Sequence, residues 1–255
     1  MKVVIFCGGT GTRLKEQTEF LPKPLIYIGG FPMVFHVMKI YSYYGYTDFV
    51  LALGYKQEAF KEYFAHFNEI NNDVVMYGDY STKHYPNGKD SNWKVTLSNT
   101  GANTLKGGRL KRIEKYIQGD TFMATYGDGV ADIDIPKLLA FHKEHGKIVT
   151  MTGVKQKPRF GDIYEARGEV ASFTEKQQHT LVNGGFYVFD RRIFDYLTED
   201  VRCDLEVGAL EKIAKEGEMR VYKHDGFWAC VDTLCDMGIL QSMCDAGNTP
   251  WLRRG

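Results

Sequence analysis

VVIFCGGTGTRL, residues 3–14, contains the signal that decides the fold: four apolar residues run into a glycine-rich loop that ends in an arginine. Residues 3 to 6 are all β-branched or aromatic and show no polar alternation, which predicts a strand buried on both faces of a parallel sheet. Open α/β sheets bind ligands at the carboxyl ends of their strands, where this loop falls. The stretch therefore predicts an α/β fold with a ligand site in the loop.

The composition of this loop suits an anionic phosphate chain. Gly8, Gly9 and Gly11 lack the Cβ atoms that would keep backbone N–H groups away from phosphate oxygens. Arg13 supplies a planar fork of donors, and Lys23 supplies a compact charge between two prolines that restrict the backbone. The loop and Lys23 together predict a cradle for a triphosphate.

Two other interpretations of the loop compete with this one. A glycine-rich turn after a first strand also opens dinucleotide-binding domains, but these need an acidic residue about 20 positions further on for the ribose. Here residues 26–31 read IYIGGF and hold no carboxylate. A tight turn with a surface arginine and lysine would explain the glycines alone, whereas Arg13 and the Pro-Lys-Pro sequence favour phosphate binding.

The composition indicates a globular protein that acts on small molecules. A length of 255 residues with 44% hydrophobic and 25% charged residues suits one α/β domain over residues 1–255. Because 32 basic residues balance 32 acidic ones, no electrostatic footprint for nucleic acid or an anionic membrane is expected. No apolar run approaches the roughly 18 residues of a membrane span, and no signal peptide is evident, so we expect a cytoplasmic location. Five cysteines without paired metal-ligand spacing are expected to be free thiols.

Apolar periodicity predicts strands that alternate with helices, and hence a mostly parallel sheet built from right-handed βαβ units. The segment near 78–104 interrupts this alternation as an exposed excursion with a β-hairpin, and a helical tail is expected near 237–255. Helices are predicted over residues 33–44, 59–67, 110–116, 134–145 and 205–215, and strands over 49–53, 73–77, 93–101, 122–126, 148–152, 170–176, 186–189 and 219–222.

Two aspartates stand out as candidate metal ligands. Asp128, in the sequence Gly-Asp-Gly, follows the apolar strand predicted over 122–126, at the sheet edge where ligands bind. Mg²⁺ prefers few carboxylates together with substrate phosphates, although Gly-Asp-Gly is also common turn chemistry. Asp232 is a solitary carboxylate within GFWACVDTL, and its burial without a partner would be costly. A shared magnesium ion would satisfy both carboxylates.

Three further motifs carry polar groups suited to a phosphorylated substrate. Arg109 follows two glycines at the start of a predicted helix, where anions bind, although a basic run is also typical of a solvated face. Glu175 and Lys176 end a predicted strand: the lysine can neutralise a monophosphate while the glutamate accepts hydrogen bonds from hydroxyls. Asn183 and Gly184 precede another predicted strand and present an amide beside a flexible backbone.

The string GGTGTRL at 8–14 with Lys23-Pro24 resembles the signature of the sugar-phosphate nucleotidyltransferases, and four later motifs follow in the family's order. The resemblance covers nearly the whole chain. It implies a Rossmann-like three-layer α/β/α fold, a homo-oligomer, and a reaction in which an oxygen of a sugar 1-phosphate attacks the α-phosphorus of a nucleoside triphosphate. The stretch 78–101 resembles a part peculiar to the family's glucose-1-phosphate cytidylyltransferases. This likeness implies CTP and glucose 1-phosphate as substrates and CDP-glucose as product.

The resemblance also implies roles for individual residues. Catalysis falls to Arg13, Lys23, Asp128 and Lys176, and Mg²⁺ to Asp128 and Asp232. The implied nucleotide contacts are Cys7, Gly8, Gly9, Thr10, Gly11, Thr12, Arg13, Lys23, Arg109, Tyr126 and Gly127. The implied contacts with the second substrate are Arg109, Gly161, Glu175, Lys176, Asn183 and Gly184.

The sugar-facing half departs from the family pattern. Gln177 follows the Glu-Lys pair where proline is usual, residues 202–206 replace a Trp-Glu-rich segment, and Cys235 stands where arginine is favoured. A different sugar, a non-sugar phosphate or another nucleotide therefore stays open. A non-catalytic regulatory relative would lack Lys23, Asp128 or Asp232, and an oxidoreductase would need the missing ribose carboxylate.

Overall fold

Strands and helices alternate along the chain in this computed structural model, which describes residues 1–9, 11, 21–79, 81–85, 92–155, 162–174 and 181–252. The strands are β1 Lys2–Cys7, β2 Tyr27–Ile28, β3 Phe31–Pro32, β4 Asp48–Leu53, β5 Asp73–Met76, β6 Thr82–Tyr85, β7 Lys94–Asn99, β8 Thr121–Tyr126, β9 Gly129–Ala131, β10 Val149–Lys155, β11 Asp162–Ala166, β12 Glu169–Thr174, β13 Leu181–Asp190, β14 Met219–His224 and β15 Trp228–Cys230. The α-helices are α1 Met33–Ser42, α2 Gln57–Ala65, α3 Phe67–Asn71, α4 Lys106–Arg112, α5 Ile135–His145, α6 Glu211–Lys215 and α7 Leu234–Asp245.

A seven-stranded sheet forms the centre of the molecule, in the order β14-β10-β13-β8-β1-β4-β7. Strand β1 lies between β4 and β8 and runs parallel to both. Strand β13 runs antiparallel to its two neighbours, β8 and β10. The prediction of a mostly parallel α/β sheet is confirmed, and the loop after β1 leaves from the middle of the sheet.

Two apolar layers cover the faces of this sheet. Val3, Ile5 and Cys7 of β1 pack in the layer that contains α1 and α5. Val4 and Phe6 pack in the opposite layer, with α4 and α6. Because alternate residues of β1 enter different layers, all of them are apolar, which is why the sequence shows no polar alternation. The structure has the three-layer α/β/α architecture.

The excursion differs in part from its predicted form. Strand β5 pairs antiparallel with β6 in a two-stranded hairpin outside the central sheet, so the expectation that residues 73–77 continue the βα alternation is wrong. Val75 and Met76 are exposed, so their apolar character does not mark a buried strand. Strand β7 joins the central sheet instead, parallel to β4.

Three predicted helix boundaries are also corrected. Helix α4 begins at Lys106 rather than 110, so Arg109 lies within the helix. The segment predicted as a single helix over 205–215 is broken at Val207 and at Gly208, whose φ of 107° favours glycine. The tail helix α7 begins at Leu234, because Thr233 forms a capping box with Asp236. No helix in the described part of the chain combines the length and apolarity needed to cross a membrane.

Candidate active site

A short antiparallel pairing brings the two candidate metal ligands together. Strand β15 pairs with β9 so that Cys230 lies opposite Gly129. The amide of Val231 donates to the carbonyl of Asp128 at 2.9 Å, which extends this pairing by one step. Asp128 and Asp232, which flank the two strands, therefore meet at the carboxyl edge of the central sheet.

Lys23 lies between these aspartates. Its Nζ donates to Asp128 Oδ2 and to Asp232 Oδ1, each at 2.6 Å. Its side chain is 13% exposed, and burial lowers its pKa, but the two carboxylates more than offset this and the pKa is raised above its ordinary value. The lysine therefore stays charged, and one ammonium between two carboxylates leaves the cluster with a negative balance that attracts a further cation.

Two cysteines lie beside the cluster as neutral thiols. Cys230 Sγ is 3.7 Å from Asp232 Oδ2, and burial together with that carboxylate raises its pKa to about 12. Cys7 is fully buried, and burial, reinforced by Asp128, raises its pKa well above the ordinary value. Because the thiolate is the reactive form, neither cysteine is prepared to act as a nucleophile.

A cleft of about 490 Å³ opens over the cluster. The predicted site residues that line it are Gly8, Gly9, Gly11, Lys23, Arg109, Tyr126, Asp128, Asn183 and Asp232. Two other predicted residues contact side chains that line the cleft. A Cβ on Gly127 would meet Pro24 at 2.9 Å, and the carbonyl of Gly184 accepts a hydrogen bond from the indole of Trp228. The remaining predicted site residues lie outside the described part of the chain, and their roles stay predictions: Thr10, Thr12, Arg13, Gly161, Glu175 and Lys176.

Arg109 is buried, with 4% exposure, and its guanidinium joins three segments of backbone. Burial, followed by the charge of Arg112, lowers its pKa to about 10, so it is still charged at neutral pH. Its acceptors are the carbonyl oxygens of Gly8, Leu53, Gly101 and Ala102, at 2.7–3.1 Å, and the hydroxyl of Thr100 at 2.8 Å. A phosphate contact by Arg109 stays a prediction, since the described bonds join its guanidinium to protein groups, among them the carbonyl of Gly8 at the start of the glycine loop.

Arg109 also explains two glycines. A Cβ on Gly8 would lie 2.1 Å from the guanidinium carbon, and a Cβ on Gly54 would lie 2.2 Å from one of its nitrogens. Both contacts are shorter than real Cβ atoms tolerate, so the arginine requires glycine at each position. Sequence reasoning assigned the freedom of Gly8 to the approach of phosphate, but the structure supplies a second reason.

A polar network that sequence reasoning missed forms one wall of the cleft. The hydroxyl of Tyr126 donates to Glu206 Oε1 at 2.5 Å and shares a 2.7 Å hydrogen bond with Tyr187. Lys106 Nζ donates to the same glutamate oxygen, and Asn183 Nδ2 donates to both tyrosine hydroxyls. Burial raises the pKa of both tyrosines, so they stay protonated. The sequence analysis selected Tyr126 and Asn183 as separate contacts, but nothing local in the sequence linked them to Lys106, Tyr187 or Glu206.

Comparison with known proteins places the chain in a family. The model of the family described as "Nucleotidyl transferase" matches residues 2–249. The chain belongs to the nucleotidyl transferase family. This nucleotidyl transferase is 41% identical, over 98% of its length and 99% of the relative's, to a "Probable glucose-1-phosphate cytidylyltransferase" of Bacillus subtilis. It is also 41% identical to the glucose-1-phosphate cytidylyltransferase of Salmonella typhimurium, over 98% of each chain.

Solved structures share the fold of this nucleotidyl transferase at lower identity. HddC from Yersinia pseudotuberculosis superposes with a TM-score of 0.69 at 22% identity, covering 96% of this chain and 99% of that one. The inositol-1-phosphate CTP transferase of T. maritima superposes with a TM-score of 0.65 at 14% identity, covering 97% of each chain. At these identities the likeness confirms the Rossmann-like fold and nothing further.

Proposed function

We propose that this nucleotidyl transferase condenses CTP with α-D-glucose 1-phosphate to give CDP-glucose and pyrophosphate. The observation that carries the proposal is the cluster of Lys23, Asp128 and Asp232, which lies at the base of a cleft edged by the glycine loop. Relatives named for this activity match almost the full chain at 41% identity. The function therefore rests on a site whose geometry and whose family agree.

The geometry suits a displacement between two anions. An oxygen of the sugar phosphate attacks the α-phosphorus of CTP and pyrophosphate leaves. A phosphate is already anionic, so no protein nucleophile is needed, in keeping with the protonated state of Cys7 and Cys230. The protein must instead align two groups that repel each other and neutralise the developing charge. Lys23 supplies a cation at this point of the cleft.

Asp128 and Asp232 fit a magnesium ion. Mg²⁺ is commonly held by one or two carboxylates, with substrate phosphates and waters completing its coordination. Both aspartates already surround a single cationic group, the ammonium of Lys23, so the donor set suits a cation at this position. Within the described ranges no group of three or more His, Cys, Asp and Glu side chains has metal-binding geometry, as expected if substrate oxygens complete the shell. When bound, the ion would neutralise phosphate charge.

Pyrophosphate release tests the proposal. The purified chain is assayed with Mg²⁺, each of the common nucleoside triphosphates and a panel of hexose 1-phosphates and inositol 1-phosphate. We expect the highest kcat/KM for CTP with glucose 1-phosphate. Faster release with another sugar would move the assignment toward the alternative that the departures at 177, 202–206 and 235 leave open. Absence of pyrophosphate release with every pair would contradict the proposal.

A further inference from the structure

Lys106 places a cation in the cleft wall. It lines the cleft, its side chain is 39% exposed, and its Nζ lies 4.6 Å from the centre of the Tyr126 ring. Its one hydrogen-bond acceptor among the described residues is Glu206 Oε1. Because an ammonium group carries three donor hydrogens, Lys106 can donate to a ligand without giving up this partner.

Asn183 places an acceptor in the same wall. Both hydrogens of its amide nitrogen are used, one by the hydroxyl of Tyr126 at 3.2 Å and one by that of Tyr187 at 2.5 Å. Its Oδ1 accepts from the amide of Gly185 at 2.9 Å, and an amide oxygen has a second lone pair. The wall therefore offers donors from Lys106 and an acceptor from Asn183. A sugar hydroxyl, which donates and accepts, is the complement of this pair.

Glu206 fixes this arrangement from behind the wall, since it does not itself line the cleft. One carboxylate oxygen receives bonds from Lys106 Nζ and from the hydroxyl of Tyr126, so a single atom holds the lysine and the tyrosine together. The backbone of Glu206 is held in turn by Asp204, whose side chain accepts from the amides of Glu206 and Val207.

We propose that Lys106 is a specificity-determining residue that donates to a ring hydroxyl of the sugar 1-phosphate, and that Glu206 is its positioning residue. This inference rests on the proposed function. The glycine loop suits the triphosphate, and Asn183, an implied contact of the second substrate, lies in the same cleft wall as Lys106. The ribose of CTP carries the same hydroxyl chemistry, so the test separates the two sources.

The test replaces Lys106 with Met and measures pyrophosphate release while each substrate is varied in turn. Loss of a charged hydrogen bond should raise the KM for glucose 1-phosphate roughly tenfold and leave the KM for CTP within about twofold. Lys115→Met is the matched control, since Lys115 is exposed and lies 5.2 Å from the ring of Tyr116, outside the cleft. A higher KM for CTP alone, or an unchanged KM for both substrates, would overturn the proposal.

Deoxy substrates identify the hydroxyl. Against a series of monodeoxy glucose 1-phosphates, the wild-type chain should lose about tenfold in kcat/KM for the analogue that lacks the recognised hydroxyl, and Lys106→Met should not distinguish that analogue from glucose 1-phosphate. If Lys106→Met keeps the full penalty for every analogue, Lys106 does not read the sugar. A wild-type chain inactive with all hexose 1-phosphates would refute the proposed function as well, whereas an active wild type with an unaffected variant refutes this inference alone.

Glu206 is tested by rescue. Glu206→Leu removes the shared oxygen and should raise the KM for glucose 1-phosphate about as much as Lys106→Met, while Glu206→Gln keeps an acceptor oxygen and should recover most of the loss. The double variant Lys106→Met with Glu206→Leu should be no worse than either single variant. If Glu206→Leu fails to fold, Glu206→Gln and Lys106→Met still decide the matter. Additive effects, or a fall in kcat that is the same for all substrates, would show a merely structural role.

Discussion

Lys23, which is partly buried, and Arg109, which is buried, are cations that line one cleft, yet they meet different partners. Lys23 donates to two carboxylates, and these raise its pKa. Arg109 donates to four carbonyls and a hydroxyl, and burial lowers its pKa to about 10. Carboxylates in an open cleft can exchange an ammonium for a metal ion or release it toward a phosphate. The described bonds therefore make Arg109 an anchor for the backbone around it, whereas a part for Lys23 in the reaction is the prediction that the following variants test.

Asp128→Asn gives the largest expected effect, on the Lys23 side of this comparison. It removes one of the two charges around the ammonium and one oxygen ligand of the proposed magnesium ion. We expect turnover to fall by at least about 10²–10³-fold, because an electrostatic contact with the reacting groups is lost. The fold should persist, since asparagine is nearly isosteric with the aspartate that it replaces. Pyrophosphate release measures the turnover, and the melting temperature measures the stability of the fold.

The matched control for this variant is Asp225→Asn, which removes an exposed carboxylate paired with Lys155 at 2.8 Å. It should leave turnover unchanged, because exposed ion pairs contribute little. Near-normal turnover of Asp128→Asn would remove that aspartate from the reaction and with it the contrast between Lys23 and Arg109.

Gly54→Ala tests the Arg109 side. A Cβ at this position would lie 2.2–2.6 Å from the guanidinium, which its five acceptors prevent from moving aside. We expect a loss of about 3 kcal/mol in the free energy of unfolding, from overpacking and from displaced buried hydrogen bonds. Urea denaturation measures it, and a lower kcat/KM should accompany it because the glycine loop is no longer held.

Coupling makes this prediction specific. In an Arg109→Met background the clash with the guanidinium is gone, so Gly54→Ala should cost much less than it does in the wild type. Gly78→Ala is the control, because a Cβ at Gly78 meets nothing within 4 Å. Equal costs of Gly54→Ala in both backgrounds would mean that Arg109 does not impose the glycine.

The same contrast separates what sequence could predict from what it could not. The buried strand β1 and the carboxyl-edge positions of Lys23 and Asp128 follow from local pattern, and the structure brings these groups together. Asp232 was predicted to need a partner, and it meets Lys23. Hydrogen bonds between residues far apart in the sequence could not be predicted in this way, because no local pattern links Arg109 to the carbonyl of Leu53.

The missed wall and the misassigned hairpin have the same cause. Glu206 meets Tyr126 because the segment 205–210, which is broken at Val207 and Gly208, packs against α4. Strand β5 has the apolar residues of a core strand, but what decides its place is pairing with β6, which periodicity does not encode. Local patterns thus predict elements, while partners of polar side chains depend on how those elements are assembled.

His142 is another buried basic group, and its hydrogen-bond partner is neutral. Its Nδ1 lies 2.9 Å from the hydroxyl of Thr150, which His145 shares. Burial, then the neighbouring His145, lower its pKa to about 4, with Asp190 and Arg192 acting in opposite directions. The unfolded chain binds this proton near pH 6.5, so stability is full above that pH and falls, by up to about 3 kcal/mol, as pH drops toward 4.

Urea unfolding at several pH values between about 7 and about 4.5 measures this loss. His142→Gln removes the titrating group, so its stability should depend less steeply on pH, whatever its stability at neutral pH. His66→Gln makes the same substitution at an exposed histidine and serves as the matched control. If His142→Gln keeps the wild-type dependence of stability on pH, the acid sensitivity arises from other groups. The burial of His142 beside a neutral partner would then not be its cause.

Thr233→Ala has the smallest expected effect and tests how Asp232 is held beneath Lys23. Thr233 Oγ1 accepts from the amide of Asp236, while Asp236 Oδ2 accepts from the amides of Asp232 and Thr233. Removing the cap should cost about 1 kcal/mol of stability. Turnover should change less than about twofold, because the Asp236 carboxylate still holds the backbone of Asp232.

Ser242→Ala, in the same helix, is the control and should leave the free energy of unfolding unchanged, since the hydroxyl of Ser242 bonds a helical carbonyl. A large loss of turnover in Thr233→Ala would mean that the position of Asp232 depends on the side chain of Thr233. The cluster around Lys23 would then depend on a local cap, whereas Arg109 acts through bonds to distant segments of backbone.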